Sequence, residues 1–170
     1  MTGLLNRPDA QTAYHTGLLR KDQFQVAYVT NDLERACGLF SQRYGIGEYD
    51  YIRGDMPEGG RIAVALAWSG VTNYEIIEAH GDEAAFYNKR LPADDFAIRF
   101  HHLGFLVHDR QAWRALEQEL EKGGWPIVSR VEGNGLMDAY YVEAPELGHY
   151  LEYIYPLEAG LEFLMKLPRN

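Results

Sequence analysis

The sequence of 170 residues contains a single cysteine, Cys37. One thiol excludes an internal disulfide, and a disulfide-free chain suits a reducing compartment, so a cytoplasmic location is the expectation. No run approaches the roughly 20 consecutive apolar residues of a membrane-spanning helix. The opening MTGLLNRPDAQ has neither the basic start nor the apolar core of a signal peptide. Positive charge is scarce as well: 16 Lys and Arg stand against 25 Asp and Glu, a net charge of −9. That balance argues against a nucleic-acid partner, because phosphate contacts need clustered cations. What the chain holds in quantity is apolar and aromatic side chains, 46% and 13% of its residues. Such a chain is globular and long enough to bury a sizeable core.

Two stretches fall into register with each other. Placing FQVAYVTND (24–32) on HHLGFLVHD (101–109) sets Gln25 on His102, Val26 on Leu103, Tyr28 on Phe105 and Asp32 on Asp109, an offset of 77 residues. Helical spacing follows each stretch. Leu33, Ala36, Cys37, Phe40 and Tyr44 mark the first helix, with Asn31 and Glu34 as a capping box, and Trp113, Leu116 and Leu120 mark the second, stopped by Gly123–Gly124. Three strand-like runs then come after each helix: GEYDYIR, RIAVALAW and NYEIIEA in the first half, WPIVSRV, LMDAYYVEA and HYLEYIY in the second. Glu75 and Glu152 align at the same offset. Agreement at first strand, helix and last strand makes duplication the better explanation than chance.

The predicted architecture is α+β, two tandem βαβββ modules. Residues 1–23 form an N-terminal arm, 24–79 the first module, 80–99 a polar linker with a short helical turn, and 100–156 the second module. Residues 157–170 form a tail whose short helix docks Leu161, Phe163, Leu164 and Leu167. The whole is expected to make one compact domain.

Strand side chains alternate faces. Gln25, Ala27 and Val29 therefore share one face, and His102, Gly104 and Leu106 the equivalent one, while Tyr28 and Phe105 turn toward the helices. Small residues beside Gln25 and His102 leave room for a ligand. On the last strands Glu75 and Glu152 lie within apolar runs, where a carboxylate is expensive unless paired or coordinated. Taken singly, each residue also has an ordinary reading: a surface glutamine, solvated carboxylates, a satisfied histidine pair. By the same parity His101 and His149 fall outside the cavity, and His15, His80 and His108 fall in loops or at a helix start.

Paired βαβββ modules with a polar residue opening each first strand and a carboxylate on each last strand resemble the vicinal oxygen chelate superfamily. That group includes glyoxalase I, methylmalonyl-CoA epimerase, extradiol dioxygenases and the bleomycin-resistance proteins. The resemblance rests on QVAYVTNDLERA, NYEIIEA, HHLGFLVHD and GHYLEYI and covers about residues 23–156. It implies a metal site of Gln25, Glu75, His102 and Glu152. One imidazole, one amide oxygen and two carboxylates suit a divalent transition metal (Zn, Ni, Co or Mn) with positions open to substrate. Gln25 replaces the first histidine that a ring-cleaving iron dioxygenase needs, so that activity is disfavoured.

The activity implied is that of a metal-dependent isomerase, epimerase or lyase, moving a proton next to a carbonyl of a small oxygenated substrate. Glu152, then Glu75, are the candidate catalytic bases. The alternative is a metal-free small-molecule-binding module of the resistance type. A small-molecule substrate and a homodimer are expected, with neither nucleic acid nor membrane as a partner.

Overall fold

The computed structural model describes residues 17–56, 59–132 and 135–170. His15, most of the predicted arm and the tips of the turns PEGG and EGNG lie outside the described residues. No described helix is long and apolar enough to cross a membrane.

The elements run β1 (Asp22–Thr30), α1 (Leu33–Tyr44), β2 (Asp50–Asp55), β3 (Arg61–Ser69), β4 (Thr72–His80), a 3-10 turn at Asp82–Ala84, and α2 (Ala85–Asn88). Then follow β5 (Ile98–Leu106), α3 (Arg110–Gly123), β6 (Ile127–Val131), β7 (Met137–Ala144), β8 (His149–Pro156) and α4 (Glu158–Lys166). The pattern βαβββ occurs twice, as predicted. Adding 77 to the first residues of α1, β2 and β4 gives 110, 127 and 149, the first residues of α3, β6 and β8.

The strands form a single eight-stranded sheet in the order β2-β3-β4-β1-β5-β8-β7-β6. Each module places its first strand parallel to its last, β1 with β4 and β5 with β8. The modules join where β1 pairs antiparallel with β5. The sheet curls, so that Val64, Leu66 and Ile77 of the first module share a cluster with Ala139 and Ile154 of the second. The helices pack on the other face. Leu33, Ala36 and Phe40 of α1 meet Ala65, Ala67 and Ile76, and Trp113, Leu116 and Leu120 of α3 meet Phe105, Val142 and Tyr153.

The helix starts differ from the expected capping box. Asp32, not Asn31, caps α1, accepting from the Arg35 amide at 2.9 Å. Asp109 caps α3 in the same way at 2.7 Å. Asn31 is instead spent across the chain, holding the Asp95 carbonyl and the Ala97 amide. An aspartate one residue nearer the helix reaches its third amide without strain, and that frees Asn31 for the linker. The buried stripe of α1 also ends at Phe40: Tyr44 points outward, its ring edge-on to that of Phe40.

The tail docks through α4. Leu164 and Leu167 are buried in the cluster between the two modules, with Phe163 partly buried beside them, whereas Leu161 faces outward. The chain end is pinned to the first module. Asn170 Oδ1 accepts from the Gly47 and Glu48 amides, and the Trp68 amide donates to Pro168 O. Near the start of α4, Gly160 is so close to the second module that a Cβ there would lie 2.1 Å from Leu136 O. Backbone cannot yield as a side-chain tip can. Gly160→Ala should therefore destabilise by about 1–3 kcal/mol, as overpacking does. That corresponds to roughly 2–4 °C in melting temperature per kcal/mol for a chain of this size. Calorimetry giving an unchanged melting temperature would contradict this close contact.

Candidate active site

The site lies on the four central strands, β4, β1, β5 and β8. Pairing fixes two rows of neighbours on the curled face. Glu75, Ala27, His102 and Tyr150 stand side by side in one row, and Asn73, Gln25, Gly104 and Glu152 in the other. Neighbouring strands lie about 4.8 Å apart, so residues flanking one strand begin about 10 Å apart. They meet only if the residue between them is small. Ala27 separates Glu75 from His102, and Gly104 separates Gln25 from Glu152. A Cβ on Gly104 would meet Gln25 Oε1 at 2.5 Å and Gln25 Cβ at 2.8 Å. The missing side chain is the space the Gln25 amide occupies.

All four predicted residues converge. His102 Nε2 lies 2.9 Å from Glu152 Oε2, 3.2 Å from Glu75 Oε2 and 3.4 Å from Gln25 Oε1. They meet across the seam between adjacent strands rather than from opposing surfaces of two separate sheets. Gln25, His102 and Glu152 are buried, and the side chain of Glu75 is 13% exposed. One ring N–H has one direction and cannot serve three oxygens. Glu75 Oε2, although close, is a buried oxygen with no hydrogen bond. An orphaned carboxylate oxygen beside a second carboxylate, an amide oxygen and an imidazole nitrogen is the donor set of a divalent cation. The ligand atoms of Glu75, His102 and Glu152 all lie within 4.8 Å of one another, close enough to hold one ion.

Residues not singled out in the sequence complete the arrangement. Asn73, fully buried, accepts from Gln25 Nε2 at 3.0 Å and donates to the Ala67 carbonyl at 3.3 Å. Because a carbonyl only accepts, the Asn73 amide has one orientation, which in turn turns Gln25 Oε1 toward His102. The i, i+2 spacing of Asn73 and Glu75 on one strand was the available signal. Tyr141, paired with Glu152 across β7 and β8, shares its face and its side-chain hydrogen bonding. Tyr87 of α2 approaches from the linker. Burial first, then the nearby carboxylates, hold both phenols well above the ordinary range, so both stay protonated donors.

His101 departs most from expectation. Strict alternation puts it on the opposite face from His102, away from the site. Instead Ala27 pairs with His102 and Tyr28 with Phe100, so His101 is the extra residue of a β-bulge. The bulge breaks the alternation, and the two imidazoles touch, Nδ1 to Nδ1, at 2.9 Å. His101 is buried among the rings of Phe86, Tyr87, Tyr141 and Tyr150. The other described histidines are peripheral. His80 ends β4 and pairs with Glu78, His108 pairs with Asp22, and His149 packs against Phe100.

Charge governs the site. Burial pushes the Glu75 carboxyl up, His102 opposes the rise, and Glu152 adds to it. Burial alone would lower an imidazole, but the two carboxylates, Glu152 ahead of Glu75, outweigh it and His102 is pushed up to about 9. Below that pH His102 carries a proton that a metal ion must expel from Nε2. Metal affinity should thus rise with pH and level off above about 9. Near neutral pH, uptake should release about one proton per ion, read by calorimetry in buffers of different ionisation enthalpy. An affinity flat across that range would contradict the proton's place on His102.

Comparison with known proteins places the fold. The family model described as Glyoxalase/Bleomycin resistance protein/Dioxygenase superfamily matches residues 24–141. Among solved structures, a Streptomyces coelicolor methylmalonyl-CoA epimerase variant in complex with 2-nitronate-propionyl-CoA is similar with a TM-score of 0.60 and 15% identity, covering 82% of this chain and 96% of that one. A methylmalonyl-CoA epimerase from Mycobacterium tuberculosis gives 0.55 and 16%, covering 80% and 88%. A hypothetical protein from Bacillus halodurans gives 0.57 and 16%, covering 81% and 96%. At such identities the likeness is one of fold. No curated protein matches the sequence significantly.

Proposed function

Since the chain belongs to the Glyoxalase/Bleomycin resistance protein/Dioxygenase superfamily, we propose that it is a divalent-metal-dependent isomerase or epimerase that moves a proton on the carbon next to a carbonyl. The observation that carries this reading is the convergence of Gln25, Glu75 and Glu152 oxygens on His102 Nε2, with Glu75 Oε2 left unpaired. Gln25, Glu75, His102 and Glu152 are the proposed ligands. A divalent ion held by them supplies Lewis-acid polarisation of the substrate's carbonyl.

The chain's own part is proton transfer. A glutamate takes the proton from the carbon beside the carbonyl; the C–H electron pair becomes a carbon–carbon π bond, and the carbonyl π pair moves onto its oxygen. Return of a proton re-forms the C–H bond. A carboxylate can act this way only if little else holds it. The Glu152 carboxylate shares a hydrogen bond with Tyr141, and its side chain is 5% exposed. Glu75 has the more exposed side chain, an Oε2 that meets His102 at 3.2 Å without a well-formed hydrogen bond, and a carboxyl pushed up by burial, toward the range of a general base. We therefore favour Glu75 as the base, ahead of Glu152, the reverse of the sequence-based order. Tyr87 and Tyr141 stay protonated at the edge of the site and supply O–H donors.

Because several similar folds are methylmalonyl-CoA epimerases, acyl-CoA esters with an acidic proton beside the thioester carbonyl are the first substrates to test, followed by small keto acids. The readout is deuterium incorporation at that carbon in deuterated water. Glu75→Gln keeps an oxygen donor but no base, so metal content should persist while exchange falls about 10²–10⁴-fold. Full exchange in Glu75→Gln with loss in Glu152→Gln would give the role to Glu152. In a metal-content assay, His102→Ala together with Glu152→Ala should abolish binding. Equal metal in that double variant and the unaltered protein would reject the site.

A further inference from the structure

We infer that His101 is a positioning residue: its Nδ1 accepts a hydrogen bond from His102 Nδ1–H and so fixes His102 Nε2 as the nitrogen presented to the three converging oxygens. The inference rests on the metal site proposed above and names a residue outside its ligand set.

The geometry leaves one consistent assignment of protons. His101 Nε2 lies 3.4 Å from the Phe86 carbonyl oxygen, which can only accept. At that length the bond is weak, yet it still requires the proton of a neutral His101 ring to sit on Nε2. His101 Nδ1 is then a bare acceptor, and the group 2.9 Å away, His102 Nδ1, must be the donor. With its Nδ1 protonated, the His102 ring offers a metal ion its Nε2 lone pair. The direction is the same whether or not Nε2 carries a proton in the metal-free protein, so loading requires no rearrangement at Nδ1.

Histidine ligands are commonly oriented by an acceptor on the second ring nitrogen, most often a carboxylate or a backbone carbonyl. Here a second imidazole fills that place, and the bulge in β5 makes it possible. Without the extra residue, sequence neighbours on a strand point to opposite faces and their rings cannot meet. The arrangement also ties the site to the linker. Phe86 of α2 orients His101 through its carbonyl and packs its ring 4.9 Å from that of His101, while Tyr87 stacks on the same imidazole.

The test combines tautomer spectroscopy with metal affinity. In long-range ¹H–¹⁵N spectra of the metal-free protein, His102 Nδ1 should be protonated and His101 Nδ1 should have the shift of an unprotonated acceptor. His101→Phe keeps the ring but removes both nitrogens, and Zn²⁺ affinity by chelator competition should drop about 10–100-fold. His101→Asn places an amide oxygen near the lost Nδ1 and should recover most of that affinity, which a purely packing role would not do. A proton on His101 Nδ1, or His101→Phe binding Zn²⁺ like the unaltered protein, would overturn the inference. If His101→Phe does not fold, the spectra of the unaltered protein decide. If that protein takes up no Zn²⁺, the metal reading fails, and the spectra still decide the direction of the hydrogen bond.

Discussion

Two carboxylates and two imidazoles are held out of water at one seam, and the fold is arranged around that fact. Carboxylates brought this close repel each other and lose hydration, and neither loss is recovered by apolar packing. The charge nearest at hand is protonated His102, which lies between Glu75 and Glu152. One ring proton serves one direction, while the oxygens approach from three. Glu75 Oε2, 3.2 Å from His102 Nε2 but without a well-formed hydrogen bond, marks that mismatch.

The seam also explains the conservative use of side-chain volume. Ala27 and Gly104 are the gaps through which longer neighbours reach each other, and both sit on the strands that join the modules. Beyond them the same face is filled by aliphatic side chains and by Leu164 and Leu167 at the end of the chain. A packed apolar surround keeps water from screening the charges, which preserves the strength of any interaction made at the centre.

The duplicated pattern was legible because it is written twice in the same phase. Period-2 alternation, the helix stripes and the constant offset set Gln25 on His102 and Glu75 on Glu152, and the resemblance to the superfamily implied that the four share one site. His101 was misread for a definite reason: alternation holds only while pairing is regular, and no local residue type announces a bulge in HHLGF. Asn31 was misassigned because Asn and Asp compete for the cap with nearly equal preference, and a contact across 66 residues, from Asn31 to Ala97, decided it. Asn73, Tyr87 and Tyr141 act through partners on other strands or on the linker. Their roles depend on register between distant segments, which composition does not encode.

The seam has a consequence for symmetry. Two copies of one module related by a true twofold axis would set like residue opposite like residue. Here the positions equivalent by the 77-residue offset hold different groups, Gln25 against His102, and only one of the two has a second imidazole behind it. Joining the modules in one chain lets each half diverge, so the centre keeps the strand geometry of a symmetric cup while its chemistry has a left and a right. Its two halves therefore present unlike groups to the space between them, an amide oxygen from Gln25 and an imidazole from His102.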